Sequence, residues 1–397
     1  MLRRRYRTVL GATVRVLHVG AVLAATSPLV VLVVMTHRAS AMQKLLARRL
    51  VPVFWYLGPA FVKLGQLLAT RLDVLPPTIC EVFAEGFVAA EKTEDGYNGS
   101  MAVVSPLDIA GNKLAVKRIR PDAARKLKLD TSILTWVANA LGRFDPAAPA
   151  AGILLELCAA IRQQSDLRAE RRALRRFERL EKVLPVQFPD VVDSDESSSS
   201  LTMTWLPDQG LYSAQHSPRA AQRLMEVLFE MLFVDGCVHC DLHPGNWWVM
   251  EDGRLAIVDA GFCCELDDEL MDHFAEFFLG LAAANSSTCA DHALAVCVTP
   301  LSDEAQRGFR RGMDELVTKY AGRRAGEFSL PEFASELFRL QRRHHAYARS
   351  DFIFPFAALL AVEGQVSALE PDLDFQRIAG PPALRGVITR ARARQNN

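Results

Sequence analysis

Val238-His239-Cys240-Asp241-Leu242-His243-Pro244-Gly245-Asn246, followed by Leu255-Ala256-Ile257-Val258-Asp259-Ala260-Gly261-Phe262, decides how this chain is read. Phosphoryl transfer needs a carboxylate near the acceptor and oxygen ligands that hold Mg²⁺ against the phosphates. Asp241 is the candidate catalytic carboxylate, and Asn246, five residues on, is a candidate metal ligand. Asp259, at the end of an apolar strand and before Ala-Gly, is the second. Each Asp taken singly is an ordinary turn former. The joint pattern, Asp-x₄-Asn and then an apolar strand ending in Asp-x-Gly, argues against that reading. His239 and His243 flank Asp241 and are expected to brace the loop by hydrogen bonds, with metal ligation as the alternative. Trp247 and Trp248 are expected to pack the loop where two lobes meet.

Upstream, Ala115-Val116-Lys117-Arg118-Ile119 puts a lysine inside an otherwise apolar strand. Desolvating that ammonium is costly without an anionic partner, and a nucleotide phosphate is such a partner. Glu170, on a charged helix, is the candidate ion-pair residue that positions Lys117; the alternative is an exposed partner of a neighbouring Arg. Leu201 to Pro207, with Met203 and Trp205, is placed where an adenine ring would dock on backbone groups. Periodicity predicts helices over 41–50 and 53–72, stopped by Pro76-Pro77. Strands follow over 101–104 and 113–119, joined at Gly111-Asn112. A long helical region covers about 130–182. Residues 186–192 and 200–206 read as a hairpin with a solvated tip at Asp193 to Ser199, and the chain from Pro218 on reads as helical except between Val238 and Phe262. A small strand-rich part followed by a larger helical part is the outline of a two-lobed α+β phosphotransferase.

Half of the 397 residues are hydrophobic (50%) and 23% are charged, with a mean hydropathy of +0.08, which excludes disorder as the main state. The 46 basic and 46 acidic residues balance, but no acidic residue precedes Asp73 and eleven Lys or Arg fall in residues 1–72. The leader therefore carries +11 and the rest −11. This basic segment brackets an apolar run from Val16 to Met35, which favours anionic lipid head groups over nucleic acid. Twenty residues reach about 30 Å as a helix, one hydrocarbon thickness. A single membrane anchor is the preferred reading; a cleaved leader, with Arg3 to Arg7 and Ala39-Ser40-Ala41, and a buried core helix are the alternatives. Eight cysteines form no disulfide ladder. Cys237, Cys240, Cys263 and Cys264 suit either a zinc or redox site or buried apolar filling, and the second is preferred.

Lys63-Leu64-Gly65-Gln66, then Thr70-Arg71-x-Asp73-x-Leu75-Pro76, resembles the KxGQ signature of the UbiB family of atypical kinases, also called ADCK or Coq-type kinases. The resemblance continues through Ala115 to Pro121, Asp166-Leu167-Arg168-x-Glu170, the Asp241 to Asn246 loop, and an ending at Leu359-Leu360-x-Val362-Glu363-Gly364 with Leu369-Glu370-Pro371-Asp372, covering about residues 55–375. It implies a protein-kinase-like fold with an N-terminal helical extension that packs over the active site and excludes bulky protein substrates. It also implies ATP and Mg²⁺ as cofactors and work on isoprenoid-quinone biosynthesis or lipid homeostasis at a membrane. Three positions depart from the family: Asn98-Gly99-Ser100-Met101-Ala102 stands in place of its alanine-rich nucleotide loop, the spacing from Pro77 to that loop is short, and its Glu-x-Asp reads Gln164-Ser165-Asp166.

Four segments are expected: a basic membrane-anchor segment (1–50), the KxGQ extension (51–95), an N-lobe with a helical insertion (96–206) and a helical C-lobe (207–397). Asp241, Lys117 and Glu170 are the candidate catalytic residues, with Lys117, Ser100, Met203 and Trp205 on the nucleotide and Asn246 and Asp259 on the metal. Lys63, Gly65, Gln66, Gln164 and Asp166 are assigned to the regulatory extension. The expected partners are membrane lipids, a quinone or isoprenoid precursor and a biosynthetic enzyme complex, but no nucleic acid. A single-pass protein is expected, with its catalytic domain on the ATP-containing side: the cytoplasm in a bacterium, or an organelle. Two other readings stay open, a nucleotide-binding scaffold without turnover and a small-molecule phosphotransferase of the aminoglycoside/choline kinase sort.

Overall fold

The computed structural model describes residues 13–22, 24–26, 40–87, 91–93, 96–98, 102–109, 111–144, 149–192, 197, 199–207, 218–298, 300–321, 328–370 and 373–395. The chain divides into two units, one of residues 1–105 and 117–165 and one of residues 106–116 and 166–397.

The first unit opens with helical residues 13–22 and 24–26, then α1 (Ser40–Leu57), α2 (Pro59–Ala69) and α3 (Pro77–Gly86). Pro76 and Pro77 behave differently from expectation. They start α3 rather than ending the helix before it, since a first-turn proline gives up only an N–H that has no intrahelical partner. Pro52 lies inside α1, and the break comes at Gly58, whose φ of 105° is open to glycine and strained for other residues. Leu46, Leu50, Val62, Ile79, Phe83 and Phe87 form the core of this helical layer. Beneath them Arg71 grips Asp73 through Nε and Nη2 at 2.8 and 2.7 Å, and both side chains are fully buried. α4 (Pro121–Phe144) and α5 (Pro149–Gln163) pack on each other and complete the unit.

The expected membrane span over 16–35 is not found. Among the described residues no helix is long and apolar enough to cross a membrane, and residue 23 and residues 27–35 lie outside them. Just before the run one residue is tied to protein, and within it Val16 and Leu17 are exposed. Arg15 donates to both carboxylate oxygens of buried Asp130 at 2.9 and 2.8 Å and to the Leu57 carbonyl, and Val19 is buried.

The strands are β1 (Glu91–Thr93), β2 (Gly96–Asn98), β3 (Ala102–Ile109), β4 (Asn112–Ile119) and β6 (Ser200–Thr204). In the first unit β1 pairs antiparallel with β2 (Lys92↔Tyr97) and β2 with β3 (Tyr97↔Val104). In the second unit the β3–β4 turn has Gly111 at φ 85°, with its N–H donated to Asp108 Oδ1 at 3.0 Å. Trp205 N–H, just past β6, donates to the Lys113 carbonyl at 3.1 Å.

The second unit continues with α6 (Leu167–Phe177), which buries Leu167, Glu170, Arg171, Leu174 and Phe177 at helical spacing. The hairpin expected over 186–192 and 200–206 is present at its tip end, where Val191 bridges Met203, Val192 N–H donates to the Thr202 carbonyl at 3.0 Å and Thr204 N–H to the Asp190 carbonyl at 2.9 Å. β5 (Val186–Gln187) pairs instead with β9 (Leu255–Ile257) in parallel, and β8 (Trp247–Val249) pairs antiparallel with β9. β7 (Cys237–His239) and β10 (Cys263–Glu265) make a two-stranded ribbon with His239 opposite Cys263. Helices α7 (Pro218–Glu230), α8 (Asp268–Ala282), α9 (Ser286–Ala295), α10 (Asp303–Tyr320), α11 (Leu330–His344), α12 (Ser350–Leu369) and α13 (Phe375–Gln395) supply the rest.

Candidate active site

The loop from Cys240 to Asn246 hangs between β7 and β8, and a buried histidine fastens it. His239 is fully buried, and its Nδ1 accepts the backbone N–H of Asp241 at 3.2 Å. Its Nε2 therefore carries the proton and donates to the Val258 carbonyl at 3.1 Å, one residue before Asp259. One neutral ring thus couples the two acidic residues. Burial holds its pKa below the ordinary histidine value, against the opposing pull of Asp241 and Asp259, so the neutral form that this pattern requires is favoured.

Asn246 makes the second link. Its side-chain Nδ2 donates to the Asp241 carbonyl at 2.8 Å, its backbone N–H donates to the His243 carbonyl at 2.8 Å, and its carbonyl accepts Val258 N–H at 2.9 Å. With Nδ2 occupied, Oδ1 is the amide atom left to meet a cation. Asp259 is exposed and sits at φ 56°, in the left-handed region that non-glycine residues seldom adopt and that is often strained at functional positions. The Asp241 carboxylate is half-buried and makes no hydrogen bond or ion pair among the described residues.

Gln365, on α12, holds the loop from its other side, donating to the Leu242 carbonyl at 2.9 Å and accepting Trp247 Nε1–H at 3.0 Å. It lies more than a hundred residues from the loop, and nothing in its local pattern marks it. Trp248 Nε1–H donates to the Pro207 carbonyl at 3.0 Å, so the segment containing Met203 and Trp205 is pinned to β8. Met203 is buried, while Trp205 is half-buried.

The second unit therefore brings Asp241, Asn246 and Asp259 together around His239. Glu170 is 1% exposed, which overturns the alternative of a solvated surface residue, and its charge reaches Cys263 on β10. Lys117 belongs to the first unit and is 7% exposed in β4, flanked by buried Ala115, Val116 and Ile119. Ser100 lies outside the described residues. The KxGQ residues lie in the first unit, where Gln66 Nε2 donates to the Phe87 carbonyl at 3.0 Å. A Cβ on Gly65 would come within 2.2 Å of the Phe87 ring, and Lys63 is half-buried. Gln164 Nε2 is buried without a hydrogen-bond partner. Asp166 caps α6 by accepting Arg168 N–H at 3.0 Å, and the Arg168 side chain, with its N–H, holds the carboxylate below its usual range.

All eight cysteines are free, and among the described residues no group of three or more His, Cys, Asp or Glu could hold a metal ion. This removes the zinc alternative for Cys237, Cys240, Cys263 and Cys264; burial pushes the Cys240 and Cys263 thiols well up, as apolar filling requires. Mg²⁺ asks for less protein than zinc does. One or two carboxylates with nucleotide phosphates and water satisfy it, and the hard oxygens of Asp259 and Asn246 fit that demand.

A strand-rich segment feeds a helical one, and one histidine bonds the Asp241 N–H and the carbonyl just before Asp259, as a kinase-like fold would require. The comparisons with known proteins agree: residues 104–293 match the ABC1 atypical kinase-like domain, and the chain carries that domain. It is similar to "Probable protein kinase UbiB" of Xanthomonas campestris pv. campestris (strain B100), with 27% identity over 379 residues, covering 82% of this chain and 67% of that protein. The protein of the same name from Xylella fastidiosa (strain 9a5c) is 27% identical over 394 residues, covering 87% and 70%. A solved structure, "The complex structure of Rv3197-erythromycin from Mycobacterium tuberculosis", is 18% identical, covers 89% of this chain and 98% of that one, and has a TM-score of 0.43.

Proposed function

We propose that the chain is a UbiB-type atypical kinase or ATPase that binds Mg-ATP and supports isoprenoid-quinone biosynthesis or lipid homeostasis. The observation that carries this reading is the His239 clamp, which sets the Asp241 loop and the Asp259 turn against each other through one neutral ring. Asn246 and Asp259 would hold Mg²⁺, which when bound neutralises charge on the nucleotide phosphates. Asp241 would orient the attacking hydroxyl or water and take its proton at the carboxylate. Lys117 is assigned to the phosphates and Glu170 to its positioning, as the resemblance implies. The basic leader and the apolar chemistry of an isoprenoid precursor favour work beside lipid, with the catalytic residues on the ATP-containing side.

The test is Mg²⁺-dependent ATP hydrolysis by the full chain, with and without anionic vesicles carrying a quinone-precursor head group, alongside Asp259→Asn and Lys117→Ala. Turnover that rises with the vesicles and falls at least about 100-fold in both variants supports the proposal. Nucleotide binding with no turnover under any condition would leave a scaffold, and phosphate transfer to small hydroxylated or amine acceptors would favour the small-molecule phosphotransferase reading.

A further inference from the structure

Helices α10 and α11 enclose a cleft of about 580 Å³ in the second unit, with no residue shared with the Asp241 loop. Glycines bring the two helices close. A Cβ on Gly308 would lie 2.4 Å from the His344 ring, and one on Gly312 would lie 2.2 Å from Leu340. Charged side chains then line the opening. Lys319 and Glu336 satisfy each other at 2.6 Å, and the Tyr320 hydroxyl donates to the same carboxylate at 3.2 Å. That leaves Arg311, Arg339, Arg343 and His344 facing a single remaining acid, Glu315.

Among the described residues Arg311 and Arg343 take part in no hydrogen bond or ion pair. Both act on one ring: the His344 pKa is lowered first by burial and then by Arg343, Arg311 and His345. Three guanidinium groups gathered around fewer carboxylates, with Glu336 already held by Lys319 and Tyr320, leave a local excess of positive charge that an anion would relieve. Their fork geometry matches phosphate oxygens two at a time, and the cleft has the size of an ordinary ligand pocket.

We propose that this cleft binds a phosphate-bearing anion, a phosphomonoester or diphosphate, drawn from a lipid head group or from a soluble metabolite, with Arg311 and Arg343 as its principal ligands. Inorganic pyrophosphate and vesicles containing phosphatidic acid are the two probes, each titrated into the full-length protein while the ring signals of ¹³C-labelled histidine are followed. The expected result is a shift of the His344 signal, with its pKa raised by the bound anion and affinity falling about tenfold or more in both Arg311→Gln and Arg343→Gln. Glu315→Gln should strengthen binding, a change that a merely structural role would not produce. Saturation by pyrophosphate at micromolar concentration supports a soluble ligand; saturation by phosphatidic acid vesicles but not by phosphatidylcholine vesicles supports a lipid head group. A His344 signal that ignores both probes, or affinities unchanged in the arginine variants, overturns the proposal.

Discussion

Replacing His239 with leucine removes the one ring that joins the Asp241 loop to the Asp259 turn. Two hydrogen bonds disappear, at 3.2 Å to Asp241 N–H and at 3.1 Å to the Val258 carbonyl. Each such bond contributes about 0.5–1.5 kcal/mol net, and a buried polar group left unpaired costs about 1–3 kcal/mol. Leucine fills most of the space and buries well, which offsets part of this, so a net loss of about 2–3 kcal/mol is expected. For a unit of this size roughly 2–4 °C of Tm accompanies each kcal/mol, giving a drop of about 4–12 °C. Function should suffer more, because a displacement of about 1 Å among catalytic groups costs on the order of 100-fold in rate. Calorimetry and Mg-ATP turnover measured on the same samples check both figures. His239→Asn, able to keep one of the two bonds, should fall between wild type and leucine. A Tm within about 2 °C of wild type with turnover within about twofold would refute the clamp.

Gly65→Ala should destabilise the first unit by about 1–3 kcal/mol in denaturant unfolding, because its Cβ meets Phe87 at 2.2 Å and that ring is stacked on Phe54 and edge-on to Phe83. Asp73→Asn strips the charge from a fully buried ion pair with Arg71; about 3–5 kcal/mol should be lost. His273 and His292 share one Nδ1–Nδ1 contact at 2.9 Å, which requires at least one neutral ring. Burial, then the charge of His273, lowers the His292 pKa, with Glu276, Asp291 and Asp272 opposing. The unfolded chain thus binds its proton first as pH falls, so this stability is present above about pH 6.5 and is lost below it. His292→Asn should flatten the Tm profile between about pH 7 and 5, and an unchanged slope would remove the pair from the account.

Much of the site was legible because phosphate chemistry fixes residue types at short range. Asp241, Asn246 and Asp259 fall within a few residues of turns that place them. What stayed hidden depends on long-range contact. Gln365 holds Leu242 and Trp247 from another helix, and no local pattern could reveal it. The hairpin read over 186–192 and 200–206 holds where Asp190 to Val192 pair with Thr202 to Thr204, while Val186 and Gln187 take a partner, β9, that lies far away in the sequence. Pro76-Pro77, read as a stop, opens a helix instead, and the helix read before it, over 53–72, breaks at Gly58. Of the apolar run, Val16 and Leu17 are exposed and Val19 is buried, and residues 27–35, which the span would need, lie outside the described residues.

The central claim is that Asn246 and Asp259 hold the divalent cation on the nucleotide. Electron paramagnetic resonance of Mn²⁺ titrated into the full chain with ATP tests it most directly. A protein-bound Mn²⁺ signal is expected in wild type, with affinity weakened at least about tenfold in Asp259→Asn and clearly weakened in Asn246→Leu, while Tm stays within a few degrees. Equal Mn²⁺ affinity in wild type and Asp259→Asn would contradict it.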